Sequence, residues 1–253
     1  MGNEKGVIDL LSQIGKVLIQ YGAETEVVES GIKRSAKKLG FEDVELLVMP
    51  NTIMIYLSSH GEIYHNRLQK VQRQDVNFKA LDKVESLINT IKADTDITLL
   101  LRELENESEL GSMYPNSLRS VMAGVGCASF SLLFGGDLYI FAITFIASFI
   151  GFTLNGALLK RYFNPFVVIV AVTFTITLVS GFLSFHHESA HIAIASAVLF
   201  LVPSVAFINS VNDLIKGHYT NGLVRGIRGV MISFAIAIGI SLALNILGVE
   251  NFI

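Results

Sequence analysis

The segment His187-Glu188-Ser189-Ala190-His191 matches H-E-x-x-H letter for letter. On a helix this spacing sets two imidazoles on one face for zinc and puts a glutamate where it can activate water. That is the chemistry of an intramembrane zinc metallohydrolase. The site lacks a good third ligand. Asp213 follows His187 by 26 residues on the same expected helix, roughly 39 Å away at 1.5 Å per residue. Asp137 and Glu250 stand in no motif suited to ligation. The sequence therefore favours a polar, histidine-rich turn here. His60 and His65 flank a turn and read as surface or strand residues rather than metal ligands. There is no G-x-x-x-x-G-K-[ST] phosphate cradle and no G-x-S-x-G nucleophile elbow. The lone Cys127 cannot form a disulfide framework. No catalytic residue, metal or cofactor is assigned.

The polar residues of the run Leu201–Leu214 carry more information. Pro203 cannot donate a backbone hydrogen bond and loosens its helix. Ser204, Asn209, Asn212 and Asp213 follow along an otherwise apolar stretch. Such groups are costly in lipid and should face a bundle interior or a watery cavity. Broken helices with polar groups are how many secondary transporters build a substrate pathway. Asn155 could join it, and so, more weakly, could Thr173, Thr175 and Thr177, because threonine usually bonds back to its own helix. Asp213 precedes three cations, Lys216, Arg225 and Arg228, within 15 residues. It could carry a coupling proton, hold a loop, or gate the path. The sequence favours a gating salt bridge to Arg225 or Arg228. Near the N-terminus, Glu24 and Thr25 join two expected helices. Thr25 is expected to cap the second one, while Glu24 either favours the helix start or lines a vestibule.

The elements that hold these residues follow from charge. The chain has 253 residues, is 51% hydrophobic and has a mean hydropathy of +0.55. Residues 1–116 hold 13 Lys/Arg and 18 Asp/Glu, whereas residues 117–253 hold only 6 and 4. A soluble, acidic front domain (1–116) thus precedes a membrane domain (117–253). The absence of a basic block argues against nucleic acid as a partner. Five transmembrane helices are expected near 118–135, 138–158, 165–184, 190–211 and 226–247, each close to the roughly 20 residues a bilayer core demands. The turn chemistry at Gly135-Gly136-Asp137, Asn164-Pro165, His186–Glu188 and Lys216-Gly217 through Asn221-Gly222 separates them. Arg119, Lys160, Arg161, Lys216, Arg225 and Arg228 all fall on one side, with Asp137, Glu188 and Glu250 on the other. This positive-inside pattern puts the front domain in the cytoplasm and the C-terminus outside. No signal peptide is expected, because Glu4, Asp9 and Lys16 interrupt any apolar start.

The front domain reads as α/β. Val7, Leu10, Leu11, Ile14, Val17 and Leu18 share a helical face that Gly22 can end. Val28, Ile32, Ala36 and Leu39 mark a second helix. Strands are expected at Val44–Met49, Thr52–Ser58 and around Ile63–Leu68, then helices through Phe78–Ile91 and Ile97–Leu104, with a hinge over 105–116. In the membrane half, Gly124, Gly126, Gly151 and Gly156 are candidate close-packing points.

Tyr21-Gly22-Ala23-Glu24-Thr25 through Val28-Glu29, the α/β front domain, and Leu201-Val202-Pro203-Ser204 through Asn212-Asp213-Leu214-Ile215-Lys216-Gly217-His218 together resemble the threonine/serine exporter family. They resemble most closely the larger subunit of its split form. The resemblance spans nearly the whole chain. It implies export of small hydrophilic metabolites, either threonine and serine or dicarboxylates such as succinate, across the inner membrane. It also implies a separate small membrane subunit that completes the transporter. Family members often carry glycine after the proline where this chain has Ser204.

Overall fold

The computed structural model describes residues 2–41, 43–59, 62–71, 76–92, 95–106 and 114–248. The chain forms two compact units, one of Met1–Met113 with Val205–Ile227 and one of Tyr114–Ser204 with Arg228–Ile253.

In the first unit, α1 (Gly2–Gln20) and α2 (Thr25–Lys38) form where apolar residues recur every three or four positions. Strands β1 (Asp43–Met49), β2 (Thr52–Ser59) and β3 (Glu62–Lys70) make an antiparallel meander in the order β1-β2-β3. Met49 pairs with Thr52 across the turn at Pro50-Asn51. Side chains alternate across a sheet, so Ile53, Ile55 and Leu57 of β2 all point into the core and are fully buried. They meet Leu10, Leu11, Ile14 and Leu18 of α1 and Val28 and Ile32 of α2. Each such side chain contributes about 1.5–3 kcal/mol by leaving water. The helices lie close. A Cβ at Gly15 would stand 2.6 Å from the end of Ile53 and 2.8 Å from Ile32. Helices α3 (Phe78–Thr90) and α4 (Ile97–Glu105) complete the core through Val84, Ile88, Leu100 and Leu104. Asn77 and Asp96 cap them, accepting the amides of Ala80 and Thr98. Most of the expected hinge, 107–113, lies outside the described residues.

The second unit holds α5 (Asn116–Leu133), α6 (Leu138–Lys160), α7 (Pro165–Leu183) and α8 (Ala190–Ala197), with a single 3₁₀ turn at Leu199–Leu201. Asp137 caps α6 and Asn164 caps α7, where Pro165 occupies a first-turn position that needs no donor. Two helices run on from there, α9 (Ser204–Ile215) and α10 (Tyr219–Leu247).

The protein is a mostly helical membrane protein with a small N-terminal sheet, and two features differ from the sequence expectation. Among the described residues, three helices are long and apolar enough to cross a membrane, α6, α7 and α10, or four if the broken pair Ala190–Leu201 and Ser204–Ile215 counts as one. The expected first span, α5, is not among them: Asn116, Arg119 and four serines dilute its apolar run. The expected fourth span is not one continuous helix. Val202 is extended ahead of Pro203, which has no N–H to offer the preceding turn. Of the glycines, Gly124 packs against Phe145 and Gly151 against Ile176, while Gly126 and Gly156 face open space.

Candidate functional site

The first unit gathers most of the polar residues singled out above, and it does so around the start of α2. Helix α1 ends on Gly22, whose φ of +88° suits glycine, and the amides of Gly22 and Ala23 close the turn on the carbonyls of Ile19 and Leu18. This turn leaves the carbonyls of Gly22 and Ala23 facing outward. Asn209 Nδ2 donates to the first at 2.9 Å and Arg225 Nη2 to the second at 2.8 Å.

The α2 N-terminus is capped from far away in sequence. Thr25 was expected to cap it, but Glu24 is the N-cap residue and makes no side-chain cap bond. Instead the Thr25 amide donates to Asp213 Oδ1 at 3.1 Å. A helix start presents free N–H groups and partial positive charge, so a carboxylate is favoured there. Thr25 already stands inside the first turn, where its hydroxyl cannot reach back. Its Oγ1 accepts a bond from Asn221 Nδ2 at 3.0 Å. Asp213 is fully buried, and its Oδ2 lies 3.4 Å from Arg225 Nε. The expected ion pair therefore forms with Arg225. Arg228 belongs to the second unit.

Glu24 receives Asn212 Nδ2 on one oxygen at 2.8 Å and Lys216 Nζ on the other at 3.0 Å. Lys216 also pairs with Glu26 at 2.6 Å. The hydrogen bond from Lys216 holds Glu24 below the usual carboxylate range, against an opposing effect of burial. The bonds to Glu26 and then Glu24 push Lys216 above the usual lysine range. His218 Nδ1 stands 3.7 Å from Glu29, one turn further along α2.

The two helices that supply these groups are held as a hairpin. Ser210 Oγ donates to the Gly222 carbonyl at 2.6 Å, and Gly217, at φ +86°, makes the turn. Added Cβ atoms at Gly222 and Gly226 would come within 2.7 Å of Leu214 and 2.8 Å of Ser210. Asn221 is the residue that sequence reading missed. Asn221-Gly222 reads as turn chemistry in the sequence, yet α10 begins at Tyr219. Asn221, only 4% exposed, bonds both Thr25 and the Val48 carbonyl of β1 at 2.9 Å. Its signal was its place four residues before Arg225, which puts both on one helical face.

The remaining expected residues fall elsewhere. Asn155 is half-buried in α6, and Pro203 and Ser204 lie at the helix break, all in the second unit. The H-E-x-x-H segment does not form its helical face: His187 sits in the turn before α8, and only His191 is within it. His187 Nε2 is 3.2 Å from Asp137 Oδ2, while its Nδ1 accepts the Ser189 amide. The side chains of His60 and His65 lie outside the described residues.

A protein of Escherichia coli (strain K12) named "Probable succinate transporter subunit YjjP" is 28% identical over 99% of this chain and 98% of its own. A protein of the same name from Klebsiella aerogenes is 29% identical over 98% of this chain and 97% of its own. The "Threonine/serine exporter" of Corynebacterium glutamicum is 23% identical over 95% of this chain but only 51% of its own length. No solved structure matches. The profile of the threonine/serine exporter family, ThrE, matches residues 9–247. This chain belongs to the threonine/serine exporter family, a family of membrane transporters rather than enzymes.

Proposed function

We propose that this chain is one subunit of a secondary exporter of small hydrophilic metabolites, threonine and serine or dicarboxylates such as succinate. It works with a second, small membrane subunit. The observation that carries this reading is the end-to-end match to a relative that is itself named a transporter subunit. The match to about half of the longer threonine/serine exporter supports it, because a second half is then left for another chain to supply. Without a nucleotide-binding motif, an ion gradient or the membrane potential drives the transport.

In this reading the chain sits in the inner membrane with residues 1–116 in the cytoplasm. It crosses five times, with α5 and the broken pair adding to α6, α7 and α10, and its C-terminus is external. The cluster of Glu24, Thr25, Asn209, Asn212, Asp213 and Arg225 forms a cytoplasmic gate, Arg228 is a further gating residue, and Asn155, Pro203 and Ser204 belong to the substrate pathway. A buried carboxylate shared between a helix start and an arginine can hold a closed state and release it when either partner is drawn away. Metabolite profiling of medium from cells expressing this chain with and without the second subunit tests the reading. Efflux of an amino acid or dicarboxylate is expected only when both are present. Full export from this chain reconstituted alone would refute the two-subunit assignment.

A further inference from the structure

The second unit carries four hydroxyls in an unusual position. Thr144 of α6, Thr173 and Thr177 of α7 and Ser196 of α8 are each fully buried. Among the described residues none of their oxygens finds a hydrogen-bond partner. Their neighbours show that the helices do not forbid one. On α7 itself, Thr175 bonds back to the Ala171 carbonyl at 2.8 Å and Ser180 to that of Ile176 at 2.7 Å. Burying a hydroxyl without a partner is costly. Four together on three neighbouring helices point to an occupant that hydrogen-bonds.

The packing staggers the four along the helix axes. Gly151 of α6 abuts Ile176 of α7, next to Thr177. Ser148 Oγ of α6 donates to the Ala197 carbonyl at 3.1 Å, next to Ser196 of α8. Thr144 lies one turn from Ser148, and Thr173 one turn from Thr177. The set thus spans about 15 Å along the helix axes, half the thickness of a bilayer core. Thr173 is also where α10 comes in, since a Cβ on Gly239 would stand 2.8 Å from the Thr173 Cβ. The lining carries no charge. It offers a solute neutral donors and acceptors in place of water, as transporter pathways do.

We propose that Thr144, Thr173, Thr177 and Ser196 line the route by which a small hydrogen-bonding solute crosses the second unit. The proposal rests on the exporter reading only in identifying that solute with the exported metabolite. In a Cys127→Ala background, which removes the lone native thiol, Thr173→Cys, Thr177→Cys and Ser196→Cys are placed in the full chain. Each is expressed with the second subunit and treated in membranes with a small water-soluble methanethiosulfonate. Ile176→Cys, equally buried but packed on Gly151, is the control. Faster labelling of the hydroxyl positions than of the control is expected, because only they line a wetted route. Equal rates would overturn the proposal whatever the solute is, so this outcome is separate from failure of wild-type efflux. With efflux established, Thr177→Val should lower export about tenfold at equal membrane content. Thr177→Ser should keep it, and Thr175→Val should leave it unchanged. Normal export by Thr177→Val would equally sink the claim.

Discussion

Asp213 does two jobs with its two oxygens, and a substitution that separates them is informative. Asp213→Asn keeps an acceptor for the Thr25 amide but leaves Arg225 buried without its countercharge. Breaking a buried pair in this way costs about 3 kcal/mol, read as a lower midpoint of thermal unfolding in mild detergent, and export should fall with it. Exchanging the charges, Asp213→Arg with Arg225→Asp, should do worse rather than rescue. A guanidinium cannot accept the Thr25 amide, and it would face the positive end of α2. Recovery of flux by that exchange would show that the ion pair alone matters. Asn221→Ala removes two bonds from a buried residue and should cost about 2 kcal/mol. Thr25→Ala loses only the bond from Asn221 and should cost about 1 kcal/mol. The Glu24–Lys216 contact sets a pH window. Glu24 is lowered by folding, so its contribution is present above the unfolded carboxylate value and lost as pH falls through the folded one. Lys216 is raised, so its contribution is present below the unfolded lysine value and lost as pH rises through the folded one. Both are intact between about pH 5 and pH 10. Glu24→Gln should flatten the acid limb of a stability profile, the fall seen as pH is lowered below that window.

At the scale of elements, the turn between α1 and α2 works because of one glycine. Gly22 at φ +88° aims two carbonyls at Asn209 and Arg225. Alanine there would be strained by about 1–2 kcal/mol and would tilt both acceptors. Gly22→Ala should therefore lower the unfolding midpoint and loosen the segment 205–227 from α2, seen as faster proteolysis at Lys216. A matched Gly156→Ala, which faces open space inside α6, should leave both unchanged. The helix break illustrates what element-level reading could reach. Pro203 announced a loosened helix, and the structure turns that into a full break with a 3₁₀ turn ahead of it.

At the scale of the molecule, the prediction concerns topology. Six basic residues in the membrane half fall on one side of the expected spans, and the positive-inside rule predicts that side to be cytoplasmic. Reporter fusions after Lys160 and Ile253 should report cytoplasm and exterior respectively. A cytoplasmic C-terminus would mean that α5 or the broken pair does not cross. Only 22% of the apolar window of α10 is buried, so this long helix has apolar surface left for lipid or for the second subunit. Copurification of the two chains in mild detergent distinguishes these.

The sequence by itself determined whatever depends on near neighbours. The periodic apolar faces of α1 and α2, the three strands with their turn at Pro50-Asn51, and the charge-free runs of α6, α7 and α10 were legible because burial repeats with the period of the element. Asp213 and its arginines were legible as a suspicion, since a carboxylate beside cations in an apolar stretch has few uses. Only the tertiary structure decided which groups meet. It brought Asp213 to an amide 188 residues away, chose Arg225, moved the cap of α2 from Thr25 to a distant helix, and drew in Asn221. It also separated Thr173 and Thr177 from Thr175, three residues identical in type on one helix. The reason is geometric: a side chain's own helix fixes its direction, but only the packing of other elements fixes what stands there to meet it.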